Sequence, residues 1–287
     1  MTDHGFPTTD ALLLVERALD EDLATGTDVT TMATIPASQQ SVSHLVARAD
    51  GVVAGLPVIA LVLDAVTARL GSGEVGVDGV VDDGIRVTRG DHLATLRGAT
   101  RTTLVAERTA LNLISRMSGV ATHTRRWADI LDGTKATVLD TRKTTPGMRA
   151  LEKYAVRCGG GTNKRMGLYD VAMIKDNHKL AAGGITAAYR LVRERFPDVA
   201  VQVEVTTLAE AREAVAAGAT FLLCDNMTPE LLSEVVAAVG DRAELEATGN
   251  LTLATVDAYA ATGVDYLSVG GLTHSSPILD IAMDLRV

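Results

Sequence analysis

Residues 139–149 read LDTRKTTPGMR: an apolar segment runs into two adjacent cations, Arg142 and Lys143, and then a Thr-Thr-Pro-Gly turn. Neighbouring positive charges at the mouth of a strand repel unless an anion lies nearby. The alternative is a solvated surface turn, where such charges do little. Two more cationic stretches follow. Lys164 and Arg165 sit in the glycine-rich segment CGGGTNKRMGLYD (158–170), and Lys175 directly follows Met-Ile in MIKDNH (173–178). The glycine-rich segment reads either as a helix end with a flexible connection or as backbone that a ligand approaches closely. A lysine at the end of an apolar strand is costly to bury unless an anion pairs with it.

Between Arg142 and Lys179 there are nine Lys/Arg against three Asp/Glu, a local +6 in a chain of net charge −9, which leaves −15 on the rest. Such a protein repels DNA as a whole yet keeps a cationic pocket, a pattern that suits a small polyanion. A basic helix face over residues 148–157 accounts for some of these charges. It does not account for Arg142, Lys143, Lys164, Arg165 and Lys175, which fall on turns and strand ends.

Carboxylates come next. Glu204 (VEV) and Asp225 (LCDN) lie on consecutive apolar segments. They read either as structural partners of the lysines or as ligands for magnesium or ribose hydroxyls. The small-residue turns TGN (Thr248, Gly249, Asn250) and VGG (Val269, Gly270, Gly271) follow later strands. Turns of this kind, opening onto helices, commonly bind phosphate. His274 follows in LTHSSP and reads as a hydrogen-bonding or a catalytic side chain. GSGEVG (71–76) has the spacing of a dinucleotide loop, but a helix precedes it and a strand follows, so it is a turn. Neither a Walker loop, an HExxH pair nor a paired CxxC occurs.

These residues need elements to position them. From residue 135 on, short apolar strands alternate with helices: 135–141, 170–176, 199–207, 220–226, 242–250 and 264–271 read as strands. Residues 208–218, 229–240 and 253–263 read as helices, with Thr207/Glu210 and Thr228-Pro229 as starts and Gly218, Gly240 and Gly263 as stops. The alternation predicts βαβ units and a parallel sheet. Polar residues at the carboxyl end of every strand favour an α/β barrel over an open sheet, which would gather its ligand contacts at one switch point.

The first part differs. Helices are expected over 8–23, 56–70 and 100–119, with antiparallel strands within 41–55, 74–87 and 91–98. Two domains follow: an α+β sandwich over 1–118, onto which the C-terminal tail can pack back, and an α/β barrel over 119–287.

At 287 residues, 47% hydrophobic and 22% charged, the chain has material for two proper cores. No apolar run reaches the roughly 20 residues that span a membrane, and the acidic N-terminal stretch does not suggest a signal peptide. Cys158 and Cys224 form neither a disulfide framework nor a zinc site, so a reduced, cytoplasmic protein is expected. Aromatic residues make up 3%, too few for stacking single-stranded nucleic acid.

Taken together, ERTALNLISRMSGVAT, DTRKTTPGMRALEKYAVRCGGGTNKRMGLYD, IKDNH, VEVTTLAEA, LCDNM, ATGN and GVDYLSVGGLTHS closely resemble the quinolinate phosphoribosyltransferases from about residue 100 to the end. The resemblance implies an N-terminal sandwich domain and an incomplete, seven-stranded α/β barrel. It implies a homodimer whose active site lies between one barrel and the neighbour's N-terminal domain. The implied reaction joins quinolinate to phosphoribosyl pyrophosphate, giving nicotinate mononucleotide, pyrophosphate and CO2 on the de novo route to NAD.

By resemblance, Arg142, Arg165 and Lys175 bind the quinolinate carboxylates, with Thr141 and Lys164 beside them, and Lys143 stands at the reacting centre. Arg108 reaches into the partner's site. Glu204 and Asp225 act on ribose hydroxyls and on magnesium. Thr248, Gly249, Asn250, Val269, Gly270 and Gly271 cradle phosphate near His274. Lys143, Glu204 and Asp225 are the implied catalytic residues. Two positions depart: Lys164 stands where the family commonly has histidine, and Thr248 where serine is usual. Rival readings are a paralogue with another substrate, a nicotinate phosphoribosyltransferase, and a barrel that only binds a phosphorylated sugar. Four retained cations favour a dicarboxylate.

Overall fold

The computed structural model describes residues 5–286, which group into two units. The first holds the chain up to Arg125, Thr144–Gly160 and the chain from Thr273; the second holds Arg126–Lys143 and Gly161–Leu272. In chain order the elements begin α1 (Thr8–Leu23), α2 (Val29–Thr34), β1 (Gln40–Ala47), β2 (Gly51–Val52), α3 (Val58–Leu70), β3 (Val75–Asp78), β4 (Arg86–Val87), β5 (His92–Ala99) and α4 (Thr100–Leu131). They continue with β6 (Thr137–Leu139), α5 (Arg149–Cys158), β7 (Val171–Ile174), α6 (Asp176–Ala182), α7 (Ile185–Arg195), β8 (Ala200–Val205) and α8 (Leu208–Ala216). The last are β9 (Phe221–Asp225), α9 (Pro229–Val239), β10 (Glu244–Thr248), α10 (Val256–Ala260), β11 (Tyr266–Ser268), α11 (Gly271–His274) and β12 (Ile281–Arg286).

In the first unit, a period-two pattern buries Ser41, Ser43, Leu45 and Ala47 on one face of β1. β1 is central in an antiparallel sheet of order β12-β1-β5-β3, so the last strand of the chain pairs with the first. Ala11, Val15 and Leu19, one helical turn apart, are the buried stripe of α1. The helix expected over 100–119 runs on to Leu131, because buried Met117, Val120, Ala121 and Trp127 continue its apolar stripe past Gly119. The expected boundary at 118 therefore falls inside α4.

In the second unit six parallel strands run in the order β6-β11-β10-β9-β8-β7. Thr162 adds a one-residue parallel bridge to Leu139, so a seventh strand is reduced to a single rung beside β6. Among the described residues no ladder joins Thr162 to β7, and the barrel is open there. The helix expected over 253–263 is shorter, Val256–Ala260. Helix starts follow the sequence signals: Thr207 Oγ1 accepts from Glu210 N at 3.2 Å, and Thr228 Oγ1 from Leu231 N at 3.4 Å.

Candidate active site

Every parallel strand of the second unit delivers polar residues at its carboxyl end. After β6 come Asp140, Thr141, Arg142 and Lys143; Thr141 Oγ1 accepts from Lys143 N at 3.0 Å and folds the turn. Buried Asp140 accepts from Asn163 Nδ2 at 2.8 Å and Lys164 N at 2.7 Å, tying the second strand's end to the first.

Arg165 follows, its Nη1 donating to Val171 O at 3.1 Å and its Nη2 lying 3.5 Å from Met173 Sδ. Burial, and next the guanidinium of Arg142, hold Arg165 below the ordinary arginine range. The two guanidiniums repel each other, Arg142 following β6 and Arg165 following the Thr162 rung paired with β6. Asp170 organises the turn between them and β7. Burial works against its charge, but N–H groups of Met166, Gly167 and Val171 donate to it, and its acidity ends up stronger than usual.

Lys175 caps α6, and its exposed ammonium lies 2.7 Å from Glu204 Oε2 on β8. Lys179, one turn along α6, donates to the Glu204 carbonyl at 3.2 Å and to Glu210 Oε1 at 3.0 Å. Glu204 is thus a salt-bridge partner of Lys175, buried near the carboxyl end of β8.

Asp225 ends β9, and there the sequence reading missed a residue. Asn226 adopts a left-handed backbone (φ 53°), as does Asn250 (φ 51°) after β10. The Asn226 amide donates to Asp225 Oδ2 at 2.9 Å, while its Oδ1 accepts from Asn250 Nδ2 at 3.3 Å. A Cβ on Gly249 (φ +95°) would meet Asn226 Oδ1 at 2.2 Å. Asparagine tolerates this backbone better than most residues, so an Asn directly after the strand carboxylate was the available signal.

Thr248 and Gly249 are half-buried and Asn250 exposed. The Val269 N–H donates to Leu139 O at 3.0 Å, so it belongs to the sheet ladder, while Gly270 and Gly271 lead into α11. His274 and Arg108 lie in the first unit, both exposed, with His274 Nδ1 2.6 Å from Ser275 Oγ.

Lys164 goes elsewhere. Its ammonium lies 2.5 Å from Glu246 Oε1 of β10, deep on the inner face of the sheet. Burial holds the ammonium below the ordinary lysine range, opposed by Glu246.

Models of the quinolinate phosphoribosyl transferase N-terminal and C-terminal domains match residues 28–118 and 120–284. The chain belongs to the quinolinate phosphoribosyl transferase family. It is 48% identical over 280 residues to the nicotinate-nucleotide pyrophosphorylase [carboxylating] of Mycobacterium leprae, covering 94% of this chain and 95% of that one. A probable nicotinate-nucleotide pyrophosphorylase [carboxylating] of Bacillus subtilis is 40% identical, covering 93% and 90%. The structure of the nicotinate-nucleotide pyrophosphorylase from Francisella tularensis matches with a TM-score of 0.92 at 34% identity, covering 98% of this chain and 97% of that one. No helix among the described residues is long and apolar enough to cross a membrane.

Proposed function

We propose that the chain transfers phosphoribose from phosphoribosyl pyrophosphate to quinolinate and releases nicotinate mononucleotide, pyrophosphate and CO2, a step of de novo NAD biosynthesis. The observation that carries this reading is the gathering of cations at neighbouring strand ends: Arg142 and Lys143 follow β6, Arg165 follows the Thr162 rung paired with β6, and Lys175 follows β7. A dicarboxylate resolves their repulsion. Lys143, exposed after β6, takes the reacting centre by its resemblance to the family.

In this reading Arg142, Arg165 and Lys175 seat the two carboxylates, and Glu204 and Asp225 accept from the ribose hydroxyls. Thr248 to Asn250, with Gly270 and Gly271, hold phosphate. The pyridine nitrogen attacks the anomeric carbon as the bond to diphosphate breaks, with strand-end cations matching the charge on the leaving group. The bond to the adjacent carboxylate then breaks: CO2 leaves, and the electron pair stays on the ring carbon as an ylide stabilised by the neighbouring pyridinium nitrogen. Lys143 stabilises that charge, and a proton takes the vacated position.

Glu204 and Asp225 present the hard oxygen donors that magnesium prefers. Among the described residues no group of three or more His, Cys, Asp or Glu is placed to hold an ion. Magnesium, when bound, would be held by Glu204 and Asp225. Bound there, the ion would neutralise diphosphate charge. We further propose a cytoplasmic homodimer in which Arg108 completes the partner's site.

The test is a product assay with magnesium and phosphoribosyl pyrophosphate, offering quinolinate or nicotinate in parallel. Nicotinate mononucleotide and CO2 from quinolinate alone support the reading. Turnover of nicotinate instead moves the function to a monocarboxylate transferase.

A further inference from the structure

We infer that Glu246 is a positioning residue for quinolinate: it holds Lys164 inside the sheet, fixing the segment that carries Arg165 and withdrawing the Lys164 ammonium from the substrate. The inference rests on the reading of the site as a quinolinate site.

Glu246 has no exposed surface. Its two neighbours of the same parity on β10, Glu244 and Thr248, are wetter, so the strand carries one dry carboxylate between two wetted side chains. Three donors converge on it from three other segments. Lys164 Nζ and Ser268 Oγ of β11 both donate to Oε1, and Gln202 Nε2 of β8 donates to Oε2 at 2.6 Å. Gln202 and Ser268 are themselves buried. A carboxylate this dry is tolerable only with a matched cation, and Lys164 is the one it has in this set.

Lys164 is consequently held at both ends. Asp140 takes its backbone N–H, and Glu246 takes its ammonium across the inner face of the sheet. Arg165 is the next residue, so the pair fixes where its main chain leaves the barrel. The charged groups facing Lys164 are Glu246, Arg165 and Lys175, with Asp140 on its backbone. Its ammonium is neutralised by Glu246, which leaves Arg142, Lys143 and Arg165 as the cations that face substrate, with exposed Lys175 shared between substrate and Glu204. Lys164 therefore adds no charge to the pocket.

A double-mutant cycle on the full-length protein tests this, using Lys164→Met, Glu246→Gln and the double variant. Quinolinate binding by calorimetry is measured beside turnover. Lys164→Met strands the buried carboxylate and should weaken quinolinate binding and raise its KM on the order of 100-fold, with the KM for phosphoribosyl pyrophosphate nearly unchanged. Adding Glu246→Gln removes the stranded charge and should recover about 10-fold or more.

If the Lys164 ammonium bound quinolinate directly, the double variant would be no better than Lys164→Met, and the inference falls. It falls as well if the losses appear in kcat or in folded yield with the quinolinate KM unmoved. Should Lys164→Met not fold, Glu246→Gln against the double variant decides. Under the inference the two bind quinolinate within about 5-fold of each other; under direct binding the double variant loses the ligand outright. A wild-type protein that binds quinolinate without turning it over would sink the proposed reaction and leave the cycle readable from calorimetry.

Discussion

Arg116 and Glu152 meet inside the first unit, with the guanidinium Nη2 2.7 Å and Nε 3.1 Å from Oε1 of a carboxylate that has no exposed surface. The same carboxylate accepts from Thr145 N at 3.0 Å and Thr145 Oγ1 at 2.8 Å, and Arg116 also donates to the carbonyls of Thr273 and of Ser276. One ion pair thus joins α4, the turn two residues after Lys143 and the segment containing His274. Arg116→Met leaves Glu152 buried and uncompensated, and should lose about 3–5 kcal/mol of stability in urea unfolding. A loss below about 1 kcal/mol would mean that the carboxylate had found other partners.

The Lys175–Glu204 pair differs because Lys175 is 47% exposed at its side chain. Water screens such a pair, so breaking it should cost no more than about 1 kcal/mol. Glu204→Gln is therefore expected to keep near wild-type stability while turnover falls on the order of 100-fold, since the carboxylate is proposed to act on substrate. Large destabilisation with turnover per folded molecule retained would return Glu204 to a purely structural part, as in a barrel that merely binds a sugar phosphate.

Much of this was legible in the sequence because strand ends in a parallel barrel are written in one place each. An apolar run that stops at a charge marks a strand end, as at Asp140–Lys143 after β6, Lys175 after β7 and Asp225 closing β9. What the sequence hid is three-dimensional. Glu246 reads as one more strand-end acid, and only the pairing of β10 with its neighbours shows it facing inward onto Lys164 and Gln202. Asn226 was hidden for another reason: its residue type allows a left-handed backbone, but that its amide reaches both Asp225 and Asn250 depends on the turns after β9 and β10 lying side by side. The end of α4 was missed because Gly119 looks like a stop. A Cβ there would meet Pro277 O at 2.1 Å, so the glycine admits a passing chain and the helix continues.

That reading of Asn226 separates backbone from side chain. Asn226→Gly relieves the left-handed conformation but removes the amide that touches Asp225 and Asn250, so stability should change by less than about 1 kcal/mol while turnover drops. Gly249→Ala attacks the same turn from the other side by pressing a Cβ on Asn226, and it should lose both. Equal turnover in wild type and Asn226→Gly would remove Asn226 from the site.

Arg108 is exposed on α4 and Lys143 is exposed after β6, and the proposed homodimer would draw them from two chains. Arg108→Ala and Lys143→Ala should each be nearly inactive alone. After mixing under conditions that exchange protomers, about a quarter of wild-type activity should return, because half the molecules are then hetero-dimers with one intact site of two. No recovery from a mixture in which exchange is demonstrated would count against a shared site.

Cys158 and Cys224 supply a pH signature. Burial chiefly pushes each thiol from its ordinary 9.0 up to about 12, helped by Asp83 at Cys158 and by Glu246 at Cys224. Between those values the unfolded chain has released thiol protons that the native chain still holds. Stability therefore falls as pH rises, by up to about 1.4 kcal/mol per unit for each thiol. Lys164 works with the opposite sign: its native value is depressed, so its contribution improves as pH climbs toward 10.5. Comparing wild type with Cys158→Ala/Cys224→Ala cancels that contribution. Urea unfolding at pH 8 and pH 10.5 should show the wild type losing about 2–4 kcal/mol more than the double variant. Parallel losses in the two proteins would mean that the thiols ionise in the folded chain much as they do in water, and that the packing around β9 and the end of α5 admits solvent.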